Sequence, residues 1–226
     1  MAQDGQAGRR RQGRDAGVIQ RAAELIRAGR LVAFPTETVY GLGANALDAA
    51  AVEKIFAAKG RPSTSPLIVH VDSEEMARTL ARQWPDAAHV LVRRFWPGPL
   101  TLVVPKRECV PDVVTAGLAT VGLRAPSHPL ALALIRAAGV PIAAPSANRF
   151  TGLSPTTAEH VRRGLGEAAD LILDGGPTVV GIESTVLSLA GQRPLLLRPG
   201  MVSREAIEAL IGPLELAGRI ENGAHP

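Results

Sequence analysis

The chain has 226 residues, of which 46% are apolar and 3% aromatic, so one large core built from Leu, Val, Ile and Ala is expected. No apolar window approaches the length of about 18 residues that spans a bilayer, and no apolar stretch follows the basic residues near the N-terminus, which argues against a membrane protein and a secretory signal. The net charge of +4 is concentrated in residues 1–14, which carry +3, and the remaining chain is nearly neutral at +1.

Helices and strands alternate along the chain from residue 18 onward. The apolar spacing predicts helices that end at Gly29, begin after Asp48 and after Asp72, end near residue 95, cover 130–138, follow Ser154, and run from Ser203 to Gly212. It predicts strands over 31–34, 67–71, 100–104, 120–123, 140–143, 171–173, 186–189 and 195–197. Some strands follow each other directly, so the expected fold is a single α/β (α+β) domain with a mixed sheet.

The two ends of the chain are expected to lie outside this domain. Residues 1–15 lack apolar periodicity and are predicted to be a disordered basic tail, with a contact to RNA as the alternative. Residues 213–226 are predicted to be a loose C-terminal tail. The high isoelectric point does not by itself indicate a nucleic-acid-binding face on the folded body.

Cys109 is the only cysteine. It cannot form an intramolecular disulfide or half of a cysteine-rich metal site. A bystander thiol on a loop is favoured over a reactive one. A reducing, cytoplasmic location is the simplest expectation.

Polar, proline-marked loops follow four of the predicted strands. PTETVYG follows Phe34 and begins a loop that is expected to run through PTETVYGLGAN. RAPSHP follows Leu123, APSAN follows Ala143, and RPG follows Leu197. Ligands of open α/β sheets bind beyond strand ends, so these loops are candidates for one shared site. Each loop alone is a weak signal, because Pro and Ser are ordinary turn residues.

Three common kinds of site are excluded by missing motifs. The chain has no G-x-x-x-x-G-K-[ST] phosphate loop and no G-x-S-x-G nucleophile elbow. Its five histidines show no short zinc-ligand spacing. No side chain is therefore assigned as a metal ligand.

The basic residues in loops indicate anion binding. Lys59 and Arg61 share a Pro/Ser loop, where an ammonium near a guanidinium suits a polyphosphate, and a solvated loop is the equally weighted alternative. Arg124 and Arg198 each end an apolar strand and are followed closely by Pro. Either could hold a carboxylate or phosphate bidentately, and a structural role at the sheet end is the alternative.

Short polar turns offer further candidates. Ser146 and Asn148 share one turn, and Glu183, Ser184 and Thr185 share another. Hydroxyl and amide groups in such turns can line an anion site together with backbone N–H groups. More often they only cap turns.

Taken together, nine segments resemble the YrdC-like threonylcarbamoyl-AMP synthases. They occur in the family's order: FPTETVYGLGAN, KGRPSTSPLIVHV, WPGPLT, VGLRAPSHP, APSAN, the Ser154-Pro-Thr step, DGG, ESTV and LRPG. The match spans about residues 16–212, which the resemblance makes the catalytic domain. It implies a twisted mixed sheet flanked by helices around a concave basic cavity, in the short, single-domain type.

The resemblance also implies a reaction. L-Threonine, bicarbonate and ATP would give threonylcarbamoyl-AMP and pyrophosphate, which makes the chain a nucleotidyltransferase (an L-threonylcarbamoyladenylate synthase). The product would serve the threonylcarbamoyladenosine modification of tRNA, with tRNA and downstream threonylcarbamoyl-transfer proteins as partners. Mg2+ is expected to accompany the ATP.

Site residues are carried over by motif. The resemblance makes a catalytic tetrad of Lys59, Arg61, Ser146 and Asn148. It assigns ATP to Arg61, Ser65, Thr120, Ser146, Ser154 and Arg198. It assigns threonine to Thr38, His70, Arg124 and Ser184. Ala144 stands where some members have a hydroxyl, so one threonine contact is expected to use backbone instead.

Three other functions stay open. A double-stranded RNA-binding module would also suit a concave, arginine-lined surface, although interleaved aromatics are missing. A related carbamoyl-transfer enzyme could use another acceptor, but such domains usually lie in larger chains with zinc-binding motifs. A subfamily with the same fold and a different substrate is the third alternative.

Overall fold

The computed structural model describes residues 16–178 and 181–217, which form eight α-helices, one short 3-10 helix (Gly166–Ala168) and ten strands. The helices are α1 (residues 16–27), α2 (Ala49–Lys59), α3 (Glu74–Leu80), α4 (Asp86–Phe95), α5 (Asp112–Thr115), α6 (Pro129–Ala138), α7 (Ala158–Leu165) and α8 (Arg204–Ile211). The strands are β1 (Val32–Pro35), β2 (Tyr40–Asn45), β3 (Ile68–His70), β4 (Leu100–Pro105), β5 (Thr120–Arg124), β6 (Ile142–Ala143), β7 (Leu171–Ile172), β8 (Thr185–Ser188), β9 (Leu195–Arg198) and β10 (Glu215–Leu216).

All ten strands belong to one mixed sheet. Its order is β10-β9-β8-β4-β5-β3-β6-β2-β1-β7. The pairs β3–β5, β4–β8, β1–β7 and β9–β10 are parallel, and the other five neighbouring pairs are antiparallel. The predicted single α/β domain with a mixed sheet is therefore confirmed.

Helices cover both faces of the sheet, because alternate residues of a strand point in opposite directions. On β1, Val32 and Phe34 belong to a cluster with residues of α1 and α6. Ala33, between them, belongs to the larger cluster that includes Ile55 of α2. Burial on both sides holds β1 and the loop that follows it in place.

Strand β2 is the main departure from the predicted elements, since its residues YGLGAN were expected to be loop. The strand pairs antiparallel with β1 on one side and with β6 on the other. Gly43 allows this close packing, because a Cβ there would lie 2.7 Å from both Ile142 and Phe34. The strand is thus rich in glycine because side chains would not fit between its neighbours, although the same composition is typical of loops.

Capping residues explain where two helices begin. Asp48 caps α2 as predicted, with its carboxylate accepting from the Ala51 N–H at 3.2 Å. The predicted cap of α3 is wrong by one residue: Ser73, not Asp72, accepts from the Met76 N–H, also at 3.2 Å. A serine side chain is as good a cap as an aspartate, so composition alone does not decide between neighbours.

The folded region extends beyond the predicted boundary at residue 212. Leu214 is buried, and β10 pairs in parallel with β9. Residues 213–217 therefore belong to the folded domain, with Glu215 and Leu216 in the sheet, and are not a loose tail. The rest of the predicted C-terminal tail and the predicted N-terminal tail, residues 1–15, lie outside the described residues. Within the described ranges, no helix is both long and apolar enough to cross a membrane.

Candidate active site

Strand pairing brings polar side chains from four neighbouring strands to one level of the sheet. Arg124 ends β5, Thr101 lies on β4, Ser184 directly precedes β8, and Arg198 ends β9. The hydroxyls of Thr101 and Ser184 are 2.9 Å apart, and Arg198 Nη2 donates to Ser184 Oγ at 3.2 Å. A short row of hydrogen-bonded hydroxyl groups thus extends from Arg198 to Thr101 on β4, the strand next to β5.

A cavity of about 120 Å³ opens beside this row. Its lining residues come from the loops after β1, α2 and β6, from the loop before β8, and from strands β2, β3, β5 and β9: Thr36, Thr38, Val39, Gly41, Arg61, Pro66, Leu67, Ile68, His70, Arg124, Ala144, Pro145, Ser146, Glu183, Ser184 and Arg198. Three of these carry guanidinium groups and one carries a carboxylate. The predicted loops do line one cavity. They do not all lie at the same edge of the sheet, because neighbouring strands such as β3 and β6 run in opposite directions.

One end of the cavity is organised around Arg124, which is only 4% exposed. Its Nη2 donates to Thr38 Oγ1 at 3.0 Å and lies 2.8 Å from the Glu37 carboxylate, while its Nε donates to the Gly98 carbonyl at 3.3 Å. Thr36 and Thr38 share a hydroxyl–hydroxyl hydrogen bond of 2.8 Å. A buried guanidinium held on several sides is well placed to hold a carboxylate in a fixed orientation.

His70 is the register partner of Arg124 on the adjacent parallel strand. Burial, together with the positive charge of Arg124, lowers the pKa of His70 to about 3. Its Nδ1 is buried without a hydrogen-bond partner, and its ring meets Phe34 edge-on at 6.0 Å. The imidazole is therefore neutral at neutral pH and can serve as an uncharged polar contact for a ligand.

The other end of the cavity is organised around Arg198. Its Nε and Nη2 donate to the Ser184 carbonyl at 3.1 and 2.9 Å, and its Nη1 pairs with the Glu183 carboxylate. Gly200 lets the chain pass close to this turn, since a Cβ there would lie 2.5 Å from the Thr185 nitrogen. The RPG and EST segments are thus packed against each other.

Lys59 differs from the expected phosphate-binding cation. It is 3% exposed, and its Nζ donates to the carbonyls of Ser146 and Asn148. Burial, followed by the nearby positive charge of Arg61, lowers the pKa of Lys59 to about 8. In this structure the amine fastens the APSAN turn to the end of α2, and it does not line the cavity.

The APSAN turn is held internally as well. Ser146 Oγ donates to Asn148 Oδ1 at 2.5 Å. The Asn148 amide donates to the carbonyls of Arg149 and Gly152, both at 2.7 Å. Ser146 lines the cavity, whereas Asn148 is not among the lining residues and contacts the Ser146 hydroxyl.

Arg61, in contrast, lines the cavity with few contacts of its own. Its Nη2 donates to the Pro66 carbonyl at 3.4 Å, and its Nε is buried without a partner. Burial lowers the pKa of Arg61, and Glu183 opposes this shift. A buried donor without a partner next to a cavity indicates a site for an anionic ligand.

Comparison with known proteins identifies the family. The family model Sua5_yciO_yrdC, described as "Telomere recombination", matches residues 24–200. The chain belongs to the Sua5/YciO/YrdC family. Threonylcarbamoyl-AMP synthases from Bacillus subtilis and Pyrococcus abyssi are 56% and 54% identical to it over 202 and 198 residues. Each alignment covers 88% of this chain, but the chain spans only 58% of the length of each relative.

A solved structure supports the same family assignment. The crystal structure of P. abyssi Sua5 complexed with L-threonine superposes with a TM-score of 0.88 and 52% identity. The alignment covers 92% of this chain and 61% of that protein. The fold described above is thus the fold of a Sua5 domain.

Seven of the residues predicted by family resemblance line the cavity together: Thr38, Arg61, His70, Arg124, Ser146, Ser184 and Arg198. The other five predicted residues are not among the lining residues: Lys59, Ser65, Thr120, Asn148 and Ser154. Ser154 Oγ lies 3.5 Å from the Glu183 carboxylate at the cavity margin. The Ala144 N–H donates to the Ile68 carbonyl at 3.0 Å, so this backbone group is already engaged.

The sequence did not indicate Glu37 or Thr36 as site residues, and it indicated Glu183 only as a member of a polar turn. Each adjoins or nearly adjoins an assigned residue, Thr38 or Ser184. The signal that could have found the two glutamates is electrostatic, because an arginine removed from water requires an opposite charge nearby.

Proposed function

We propose that this domain makes L-threonylcarbamoyl-AMP and pyrophosphate from L-threonine, bicarbonate and ATP. The observation that carries the proposal is the cavity with a buried guanidinium at one end and two further guanidiniums at the other. These guanidiniums offer one charged partner for an amino-acid carboxylate and two for a polyphosphate. The names of the relatives and the threonine bound in P. abyssi Sua5 support this substrate pair.

At the Arg124 end, the proposed ligand is threonine. The guanidinium would hold the carboxylate, while the hydroxyls of Thr38 and Ser184 and the neutral imidazole of His70 would contact the remaining polar groups. A neutral imidazole suits this role, because it adds no second positive charge to compete with Arg124 for the carboxylate.

The proposed chemistry needs no nucleophilic side chain. The threonine amine and bicarbonate combine to a carbamate with loss of water, and a carbamate oxygen attacks the α-phosphate of ATP. The bond from the α-phosphate to the β-phosphate bridge breaks, and pyrophosphate leaves. Arg61 and Arg198 would neutralise the developing phosphate charge, so positioning and electrostatics supply the rate enhancement.

Magnesium would enter as part of the nucleotide. Among the described residues, no group of three or more His, Cys, Asp or Glu side chains could hold a metal ion. Mg2+ commonly keeps several waters and binds through substrate phosphates with one or two carboxylates. The residues present fit MgATP as the substrate and do not fit a resident metal centre.

Two alternative functions are less well supported. A double-stranded RNA-binding module would need a broad basic face, whereas Arg61, Arg124 and Arg198 converge on a cavity of about 120 Å³. A carbamoyl-transfer enzyme with another acceptor would keep the ATP chemistry but would not need the threonine contacts around Arg124.

Pyrophosphate release tests the proposal. With ATP present, release should require both L-threonine and bicarbonate, and omission of either should abolish it. Serine and glycine should support it much more weakly. Equal release with glycine, or without any amino acid, would remove threonine as the substrate and favour the alternative acceptor.

The proposal includes delivery of the product to tRNA in the cytoplasm, with threonylcarbamoyl-transfer proteins as downstream partners. Residues 1–14 carry +3 and would serve only as a salt-sensitive RNA contact. Their deletion should therefore leave pyrophosphate release unchanged and weaken tRNA binding at low salt. A loss of release greater than a few-fold would show that this segment takes part in the adenylation site.

A further inference from the structure

A carboxylate lies among the cations at the Arg198 end of the cavity. Glu183 is the only acidic residue among the described lining residues. It pairs with Arg198, and its negative charge opposes the lowering of the pKa of both Lys59 and Arg61. The place proposed for a polyphosphate is thus occupied by an internal anion.

The contacts of Arg198 are divided between a permanent and a replaceable partner. Its Nε and Nη2 are held by the Ser184 backbone carbonyl, whereas only Nη1 pairs with Glu183. The two paired side chains are 38% and 44% exposed. Ion pairs this exposed contribute little to stability, so Glu183 can leave while the guanidinium keeps its position.

Nucleotide binding would place the Glu183 carboxylate in an unfavourable electrostatic environment. A triphosphate drawn to Arg61 and Arg198 brings several negative charges close to Glu183, and like charges at this range repel. A divalent cation between the two would turn the repulsion into attraction. Mg2+ is commonly bound by one or two carboxylates together with substrate phosphates, which matches a single glutamate beside a triphosphate.

We propose that Glu183 exchanges partners when MgATP binds: it leaves Arg198 and contacts the nucleotide-bound Mg2+, directly or through a water molecule. Arg198 is then free to bind phosphate through Nη1. This inference rests on the proposed function only in taking ATP as the nucleotide. Its consequence is selectivity, because Glu183 disfavours metal-free ATP and favours MgATP.

Equilibrium binding of ATP provides the test. Affinity for ATP is measured by titration calorimetry without threonine or bicarbonate, in EDTA and in excess Mg2+, for the parent and for Glu183→Gln. The variant should bind ATP roughly three- to tenfold more tightly in EDTA and roughly three- to tenfold more weakly in Mg2+, as expected for one partly exposed charge. The sign of the effect therefore reverses with the metal.

Two further variants serve as controls. Glu159→Gln removes an exposed glutamate of α7 that pairs with Arg163 at 2.9 Å, so it should show the parent's ratio of affinities in EDTA and Mg2+. Glu183→Asp keeps the carboxylate and should keep the preference for MgATP. Thermal unfolding of each variant verifies that it is folded.

Other outcomes overturn the inference. If Glu183→Gln tightens ATP binding equally in both conditions, the carboxylate only competes with phosphate for Arg198 and does not contact the metal. Unchanged affinities in both conditions would exclude any role in nucleotide binding. If the parent binds no ATP, both proposals fail. If the sign reverses but pyrophosphate release does not need threonine, only the proposed function fails.

Discussion

Arg124 and Arg198 lie at opposite ends of one cavity, and each is paired with a glutamate, but their surroundings differ. The side chains of Arg124 and Glu37 are 5% and 13% exposed, whereas those of Arg198 and Glu183 are 38% and 44% exposed. Removing one member of a buried pair leaves an uncompensated charge, whereas water replaces a partner at an exposed pair. The Arg124 end is therefore a fixed receptor, and the Arg198 end is able to change partners.

The largest effect is expected for Arg124→Lys. An ammonium cannot reproduce the bidentate geometry of a guanidinium, and the substitution also disturbs the contacts to Glu37, Thr38 and Gly98. Losing a charge-assisted hydrogen bond of about 1.5–3 kcal/mol should raise the threonine KM about ten- to a hundredfold. The free energy of unfolding, measured by denaturant titration, should fall by about 1–3 kcal/mol.

Arg198→Lys is the matched control for this substitution. It should raise the ATP KM, leave the threonine KM unchanged, and alter the free energy of unfolding by less than about 0.5 kcal/mol. If both variants lost the same stability, or if Arg124→Lys shifted only the ATP KM, the contrast between the two ends would be wrong.

A second prediction separates burial from position, because Lys59 is buried although it lies near Arg61, at the end of the cavity proposed for the phosphates. Lys59→Met removes the donor to two carbonyls, and leaving them unpaired should lower the free energy of unfolding by about 1–3 kcal/mol. Displacement of the Ser146 turn should reduce kcat on the order of a hundredfold.

Arg61→Ala offers the comparison for Lys59→Met. Arg61 lines the cavity without anchoring a second loop. Turnover of the variant should therefore fall comparably, while its free energy of unfolding changes by less than about 0.5 kcal/mol. Equal melting temperatures for the two variants would contradict the anchoring role of Lys59.

A third prediction concerns pH and the buried end of the cavity. The folded-state pKa of His70 is lowered from 6.5 to about 3, so the unfolded chain binds the proton first as the pH falls. Stability from this group is therefore present above pH 6.5 and is lost between about pH 6.5 and 3, with about 2 kcal/mol lost between pH 7 and 5. In denaturant titrations, His70→Asn should lack this part of the loss. An identical fall in both proteins would show that other groups cause it.

The regular elements were predictable where apolar spacing and capping agreed. The helix expected over 130–138 is α6, and the strand expected over 120–123 is β5, longer by one residue. Strand β2 was missed because local composition describes the glycines of YGLGAN as loop, whereas their neighbours across the sheet make them strand. Non-local packing of this kind leaves no periodic signal in a single sequence.

The site was predictable as a set of residues but not as a set of contacts. Motif resemblance indicated Arg124 and Arg198, and the structure places both in one cavity. It did not indicate that Lys59 faces backbone carbonyls, because spacing along a chain says nothing about side-chain direction in a loop. Nor did it pair each arginine with a glutamate, since those partners are 87 and 15 positions away in the chain.

The buried Arg124–Glu37 pair also restricts how the domain can change over evolutionary time. Replacing either residue alone leaves the charge of the other buried without a partner, which destabilises the fold, so both single replacements are disfavoured. Coupled residues of this kind are expected to show strongly non-additive effects. A descendant that binds a different ligand at this end would have to alter both positions nearly together, whereas the Arg198–Glu183 pair can change one residue at a time.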